Sequence, residues 1–271
     1  MVTSGPRSGM PVEKIFEHWS SQAAKHGLDP AGSWSDWRAI ELEIEAISAH
    51  LAPGLHILDA GCGSGHSSAR YAALDDSRVV GVDYVPQMIE HALERLAHLP
   101  SNVSEHLEFH VGDVRKLDFA DETFDRVIAT RTVINLGTRS EQARALNEFG
   151  RMLRPEGLLL LSDATSQGLE RLNALRVEWG LAAIPQPAFN LYLDEAELAS
   201  TAGAELELVA VENFASSYFV ATRVLKPLLA KVADTEIDVA DPDAEFNRWA
   251  AQLPAAGDYG TQKLFIFRKR G

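Results

Sequence analysis

The stretch that most limits how this chain can fold is Leu55-His56-Ile57-Leu58-Asp59-Ala60-Gly61-Cys62-Gly63-Ser64-Gly65. Leu55, Ile57 and Leu58 form a short apolar run, Asp59 closes it, and glycines alternate at 61, 63 and 65. An apolar run closed by glycines reads as a buried strand entering a tight loop. Residues 66–74 then read as a helix. Glycine is needed where backbone takes positive φ or lets a ligand lie against it. The unit is therefore a strand, a glycine loop and a helix, with the loop facing a ligand.

The spacing narrows the ligand. The pattern is G-x-G-x-G, whereas the dinucleotide fingerprint needs its third glycine three residues after the second. No Gly-Lys-Ser/Thr follows, so the loop is not of the phosphate-cradling kind. Asp59, just ahead of the loop, suits a ligand with an ammonium group better than one with a pyrophosphate. Residues 78–83 read as a second strand ending at Asp83, and residues 107–114 end in Gly112-Asp113-Val114. A carboxylate at the end of the second strand accepts hydrogen bonds from both hydroxyls of a ribose. The bland alternative is three unrelated strand ends that each carry an acid.

In these runs the chain resembles the class I S-adenosylmethionine-dependent methyltransferases. The resemblance implies that Gly61 and Gly63 lie under the methionine part of S-adenosylmethionine, with Asp59 beside them. It implies Asp83 at the ribose and Asp113 at the adenine amino group, with Tyr84, Val114 and Thr130 as further cofactor contacts.

Charge excludes some partners. The formal net charge of −14 argues against nucleic acid, which needs clustered Lys and Arg, and against an anionic membrane surface. No apolar run approaches the length of a membrane span. Cys62 is the one cysteine, so an internal disulfide is impossible, and a reducing cytoplasm is the expected setting. A small loop residue is its simplest role. Residues 1–11 read as a disordered tail.

Along the chain, residues 12–53 read as an N-terminal helical lid, with helices near 12–26 and 37–50; Asp36 is placed to cap the second. Residues 54–213 and 259–271 read as the core. Strands are expected near 55–60, 79–83, 107–111, 125–130, 157–162, 204–212 and 261–268. Helices are expected near 66–74, 86–98, 140–152, 168–180 and 194–200. This alternation specifies an α/β fold, a Rossmann-like, seven-stranded, mostly parallel sheet with helices on both faces. Residues 214–258 read as a helical cap inserted between strands six and seven, either an acceptor wall or an oligomer contact. Ligands in such sheets bind beyond the carboxyl ends of the strands.

The acceptor side is less determined. Arg131 and Asn135 follow the fourth strand as polar groups in an apolar stretch. Arg131 reads either as a partner for a nearby acid or as a recognition group for an anion, for which a guanidinium is well shaped. Glu170 reads either as a favourable charge at a helix start or as a general base facing the acceptor. Asn173 shares its face, and Asn190 and Tyr192 follow in a proline-containing loop. With Arg171 and Arg176, the run from Arg131 to Tyr192 resembles that of bacterial geranyl diphosphate C-methyltransferases acting at carbon 6, enzymes of terpenoid biosynthesis. That resemblance implies Arg131, Asn135, Asn173, Arg176, Asn190 and Tyr192 on a prenyl diphosphate held with Mg²⁺, and Glu170 as proton acceptor after methyl attack on the alkene. The sequence assigns no metal ligand. O- or N-methylation of another small molecule, and a non-catalytic cofactor-binding module, remain as alternatives.

Overall fold

The computed structural model describes residues 10–74, 77–234 and 241–271. Most of the expected tail, residues 1–9, and residues 235–240 of the expected cap lie outside them. Seven strands form one sheet: β1 (His56–Ala60), β2 (Arg78–Asp83), β3 (Leu107–Val111), β4 (Phe124–Thr130), β5 (Leu153–Ala164), β6 (Leu206–Glu212) and β7 (Gln262–Lys269). Their order is β3-β2-β1-β4-β5-β7-β6. The first five run parallel, and β7 is antiparallel to both β5 and β6. The chain reverses its direction of travel across the sheet at β1, between β2 and β4. A crevice at such a switch point is where ligands of open α/β sheets sit.

The helices are α1 (Val12–His26), α2 (Trp37–Ser48), α3 (His66–Tyr71), α4 (Pro86–Ala97), α5 (Ser101–Ser104), α6 (Arg139–Met152), α7 (Ser166–Glu178) and α8 (Leu198–Thr201). Between β6 and β7 lie α9 (Ser216–Val220), a π-helical turn over Ala221–Leu225, α10 (Lys226–Val232) and α11 (Glu245–Ala250). No described helix is long and apolar enough to cross a membrane.

Both sheet faces are covered, which explains the unbroken apolar runs in the strands. Leu58, Val80, Val127, Leu159 and Leu161 pack into a cluster on one face, and Ile57, Val79, Ile128, Leu160 and Ile266 into a cluster on the other. Burying each such side chain contributes roughly 1.5–3 kcal/mol.

Several boundaries differ from the sequence reading, among them the start of the helix expected at 194–200, which is Leu198, and three have a local cause or bear on the site. Strand β5 begins at Leu153 instead of 157, because Leu153 already pairs with Phe124 and a register shift before Arg126 absorbs the intervening residues. Helix α3 stops at Tyr71, three residues short of the expected end. Helix α7 starts at Ser166, because the Thr165 hydroxyl accepts from the Gly168 amide at 3.0 Å and caps it. Asp36 caps α2 as expected, accepting from the Ala39 amide at 3.3 Å.

Candidate active site

Strand β1 delivers Asp59 to the sheet edge, and the loop that follows is bent back onto β2. The amides of Gly61 and Cys62 both donate to the Val82 carbonyl, at 2.7 and 3.0 Å. Gly61 and Gly63 take φ of +85° and +53°. The two glycines serve different ends. A Cβ on Gly61 would lie 2.1 Å from the Thr132 hydroxyl, so packing demands glycine there. A Cβ on Gly63 would meet nothing within 4 Å, so that position is open toward the cavity.

The cavity lies over the tips of β1, β2 and β4, with α1 and the turn after it on the far side. Asp59, Gly61, Gly63, Asp83, Tyr84, Asp113, Val114 and Thr130 all line it. So do Arg131 and Asn135. Ten of the expected site residues thus line one cavity. Trp19, Gln22, Asp29, Ser33, Ile40, His66 and Arg115 are among the other residues that line it.

Asp59 is 1% exposed. One carboxylate oxygen accepts from the Ser68 hydroxyl at 2.6 Å, and the other is buried without a protein partner. Burial raises its pKa to about 6, against the Ser68 hydrogen bond. An unpartnered buried carboxylate oxygen is costly and is stabilised by a cation. Asp83 accepts from the Gly63 amide at 3.0 Å and from the Val85 amide at 2.9 Å, which hold its carboxylate in place at the loop. Burial raises its pKa to about 6 as well, partly opposed by those amides. The buried Tyr84 hydroxyl next door has no protein partner. Asp113 is gripped by Arg115, whose Nη2 reaches it at 2.6 Å while its Nη1 bonds Glu141. Burial opposes ionisation of Asp113, but the Arg115 hydrogen bonds outweigh it and its pKa falls. Burial, with Asp59 and Asp83 nearby, pushes the Cys62 thiol up, away from a reactive thiolate.

These features fit S-adenosylmethionine. An orphaned acid would answer the ammonium, an open glycine leaves room for the methionine chain, and a fixed acid at the β2 tip is placed for the ribose.

Sequence reasoning missed Glu43. This α2 side chain is 1% exposed and bonds Arg131, the Ser162 hydroxyl at 2.5 Å and Gln262 at 3.1 Å. Its signal was a carboxylate among Ile40, Ile44 and Ile47 on the apolar face of the helix. Arg131 forms an ion pair with Glu43, as one of its two readings expects, while it also lines the cavity and its buried Nε has no protein partner. The neighbouring Asp163 is fully buried, accepts from the Val133 amide at 2.9 Å, and is pushed by burial to about 8.

The other acceptor-side expectations separate from the cavity. Glu170 is exposed, because Gly168, Leu169 and Leu172 form the buried side of α7, and it does not line the cavity. That corrects its placement as a base facing the acceptor. Asn173 is tied to both backbone groups of Ile184, at 2.9 and 2.7 Å. Arg176 donates to the carbonyls of Ala182 and Arg223. Both brace the 181–184 segment and leave the cavity wall to others. Tyr192 packs half-buried against the core, and Asn190 reaches the cavity only through Asn135, at 2.8 Å. Among the described residues no group of three His, Cys, Asp or Glu side chains is arranged to hold a metal ion.

Comparison with known proteins finds similarity to methyltransferases. Residues 57–157 match a family described as a methyltransferase domain. An arsenite methyltransferase of Halobacterium salinarum is 37% identical over 117 residues, 42% of this chain and 28% of that protein. A demethylmenaquinone methyltransferase of Symbiobacterium thermophilum is 32% identical over 155 residues, 56% of this chain and 57% of that protein. The chain thus spans between about a quarter and just over half the length of these relatives. Among solved structures, a complex of the Haloferax volcanii Trm112 methyltransferase activator with a putative methyltransferase superposes with a TM-score of 0.60 at 17% identity, covering 93% of this chain and 98% of that one. At that identity the likeness is one of fold.

Proposed function

We propose that this chain, whose residues 57–157 match a methyltransferase domain and whose sheet has the class I fold, transfers a methyl group from S-adenosylmethionine to a small-molecule acceptor. The observation that carries the reading is the convergence of Asp59, Gly63 and Asp83 on one cavity, with one Asp59 oxygen buried and unpartnered.

When bound, S-adenosylmethionine supplies an electrophilic methyl on a sulfonium, and the protein contributes alignment and a dry site. Asp59 holds the ammonium, Asp83 the ribose, and Asp113 with Tyr84 and Val114 the adenine end. Asp163 holds the Val133 amide and so fixes the turn after β4 that forms the acceptor wall. Trp19 and Gln22 from α1 face that wall and exclude water from it.

The acceptor reading turns on charge. Arg115 and Arg131 are the two arginines on the cavity wall. Arg115 is committed to Asp113 and Glu141, and Arg131 to Glu43. A diphosphate needs cations not already neutralised. O- or N-methylation of an uncharged acceptor therefore has more support than C-methylation of a prenyl diphosphate with Mg²⁺. Methyl-labelled S-adenosylmethionine offered with neutral alcohols, phenols and amines, beside prenyl diphosphates with and without Mg²⁺, separates the two. Label in a neutral acceptor is the expected result. Label only in a prenyl diphosphate, and only with Mg²⁺, reverses the preference.

A further inference from the structure

None of the described residues of the cap between β6 and β7 lines the cavity over β1, β2 and β4. The cap has a groove of its own. Leu225, Leu228, Leu229 and Val232 recur at helical spacing along α10 and the turn before it, so they share one face. That face meets Trp179, just after α7, and Phe246 and Trp249 of α11, and every side chain lining the groove between them is apolar. Trp179, Leu229, Val232 and Trp249 are 50%, 54%, 84% and 50% exposed. Monomeric proteins seldom leave more than a few hundred Å² of contiguous apolar surface in water, and larger patches mark contact sites.

The charges around the groove indicate what covers it. The exposed charged residues directly adjoining its lining residues in sequence are Glu178, Lys231, Glu245 and Arg248. None of the four forms an ion pair with another described residue. Two acids and two bases give this rim no net charge, although the whole chain carries −14. A foreign partner steered to so acidic a chain is basic and seeks an acidic surface. A neutral rim of mixed sign suits a surface like itself, because a twofold axis brings each patch onto the same patch of the other copy. The acids of one rim then meet the bases of the other, at the place where two chains of like net charge repel least. We infer that the cap groove is the contact between two copies of this chain, with the apolar side chains at its centre and the four charges at its edge.

This contact stands apart from the methyl donor and is tested without it. Sedimentation velocity of the full chain is measured across about a hundredfold range of concentration. Wild type is expected to sediment as a dimer, with the monomer gaining share on dilution. Leu229→Glu puts a charge in the groove and is expected to weaken association about tenfold, with an unchanged circular dichroism spectrum. Two rim variants test the charges. Glu178→Lys/Glu245→Lys makes the rim wholly basic, and Lys231→Glu/Arg248→Glu makes it wholly acidic. Each alone is expected to associate more weakly than wild type, and the two mixed are expected to pair. Wild type that stays monomeric throughout, leaving the groove to another occupant, overturns the inference. So does a wild-type dimer that Leu229→Glu leaves intact, or a pair of rim variants that associate no better mixed than alone.

Discussion

Glu43 of α2 and Arg131 after β4 form an ion pair across 88 residues of sequence, with side chains 1% and 14% exposed. Arg131 adopts φ of +52°, a left-handed conformation that a residue with a side chain rarely takes. Its amide donates to the Ser162 carbonyl at 2.8 Å, which holds that turn. The pair therefore fastens an N-terminal helix to the tips of β4 and β5, beside the acceptor wall. Burial lowers the Arg131 pKa to about 10, so the guanidinium stays charged at neutral pH.

Breaking that pair from one side leaves a buried charge. Arg131→Met is expected to destabilise the fold by about 3–5 kcal/mol in urea unfolding. The double variant Arg131→Met/Glu43→Leu is expected to lose less than the sum of its parts, because neither charge is then stranded. Additive losses would show that the two residues act independently.

Asp59 sets a trade between stability and binding. Its folded pKa of about 6 lies above the ordinary carboxylate value, so between roughly pH 4 and 6 the folded state holds a proton that the unfolded state has released. Its contribution to stability is present below pH 4 and is lost as pH rises through 6. Asp59→Asn removes that loss. At pH 8 and without ligand the variant is expected to melt a few degrees higher, as a relief of about 1–3 kcal/mol implies. It is also expected to bind S-adenosylhomocysteine at least about 10-fold more weakly. Thermal melts and titrations on the same sample check both halves.

The same acid gives binding a pH signature. An ammonium favours the ionised carboxylate, so donor affinity contributed by Asp59 rises with pH until the group is ionised. The wild-type to Asp59→Asn affinity ratio is expected to climb about tenfold per unit below pH 6 and to level above it. A ratio flat from pH 5 to 8 would show that no ammonium meets Asp59.

The two loop glycines are expected to respond differently. Gly61→Ala drives a methyl into Thr132 and should unfold or strongly destabilise the chain. Gly63→Ala meets open space and is expected to cost only about 1–2 kcal/mol for its left-handed backbone, while sharply reducing donor affinity. Circular dichroism and titration of each variant distinguish packing from binding.

The residues around the glycine loop that line the cavity were legible because backbone geometry writes residue types into sequence. A turn at φ of +85° against Thr132 tolerates only glycine, and acids at strand ends follow the crossover spacing. The acceptor half was not. Glu43 could be seen as a misplaced charge among isoleucines, but its partner comes from a distant strand that local pattern does not name. Glu170 reads either as a helix-start charge or as a base, and its spacing could not tell that Gly168, Leu169 and Leu172 would form the buried side of α7 and leave it exposed. Glu170→Ala is accordingly expected to leave methyl transfer unchanged. A large loss of turnover would return it to the site.

The central claim is that Asp59, Gly63 and Asp83 together hold S-adenosylmethionine. Equilibrium dialysis against the labelled donor, with wild type beside Asp83→Ala, tests it most directly. Saturable binding of one donor per chain, weakened at least tenfold in the variant by loss of the ribose contact, is the predicted result. Absence of saturable binding to the folded wild-type chain would contradict it.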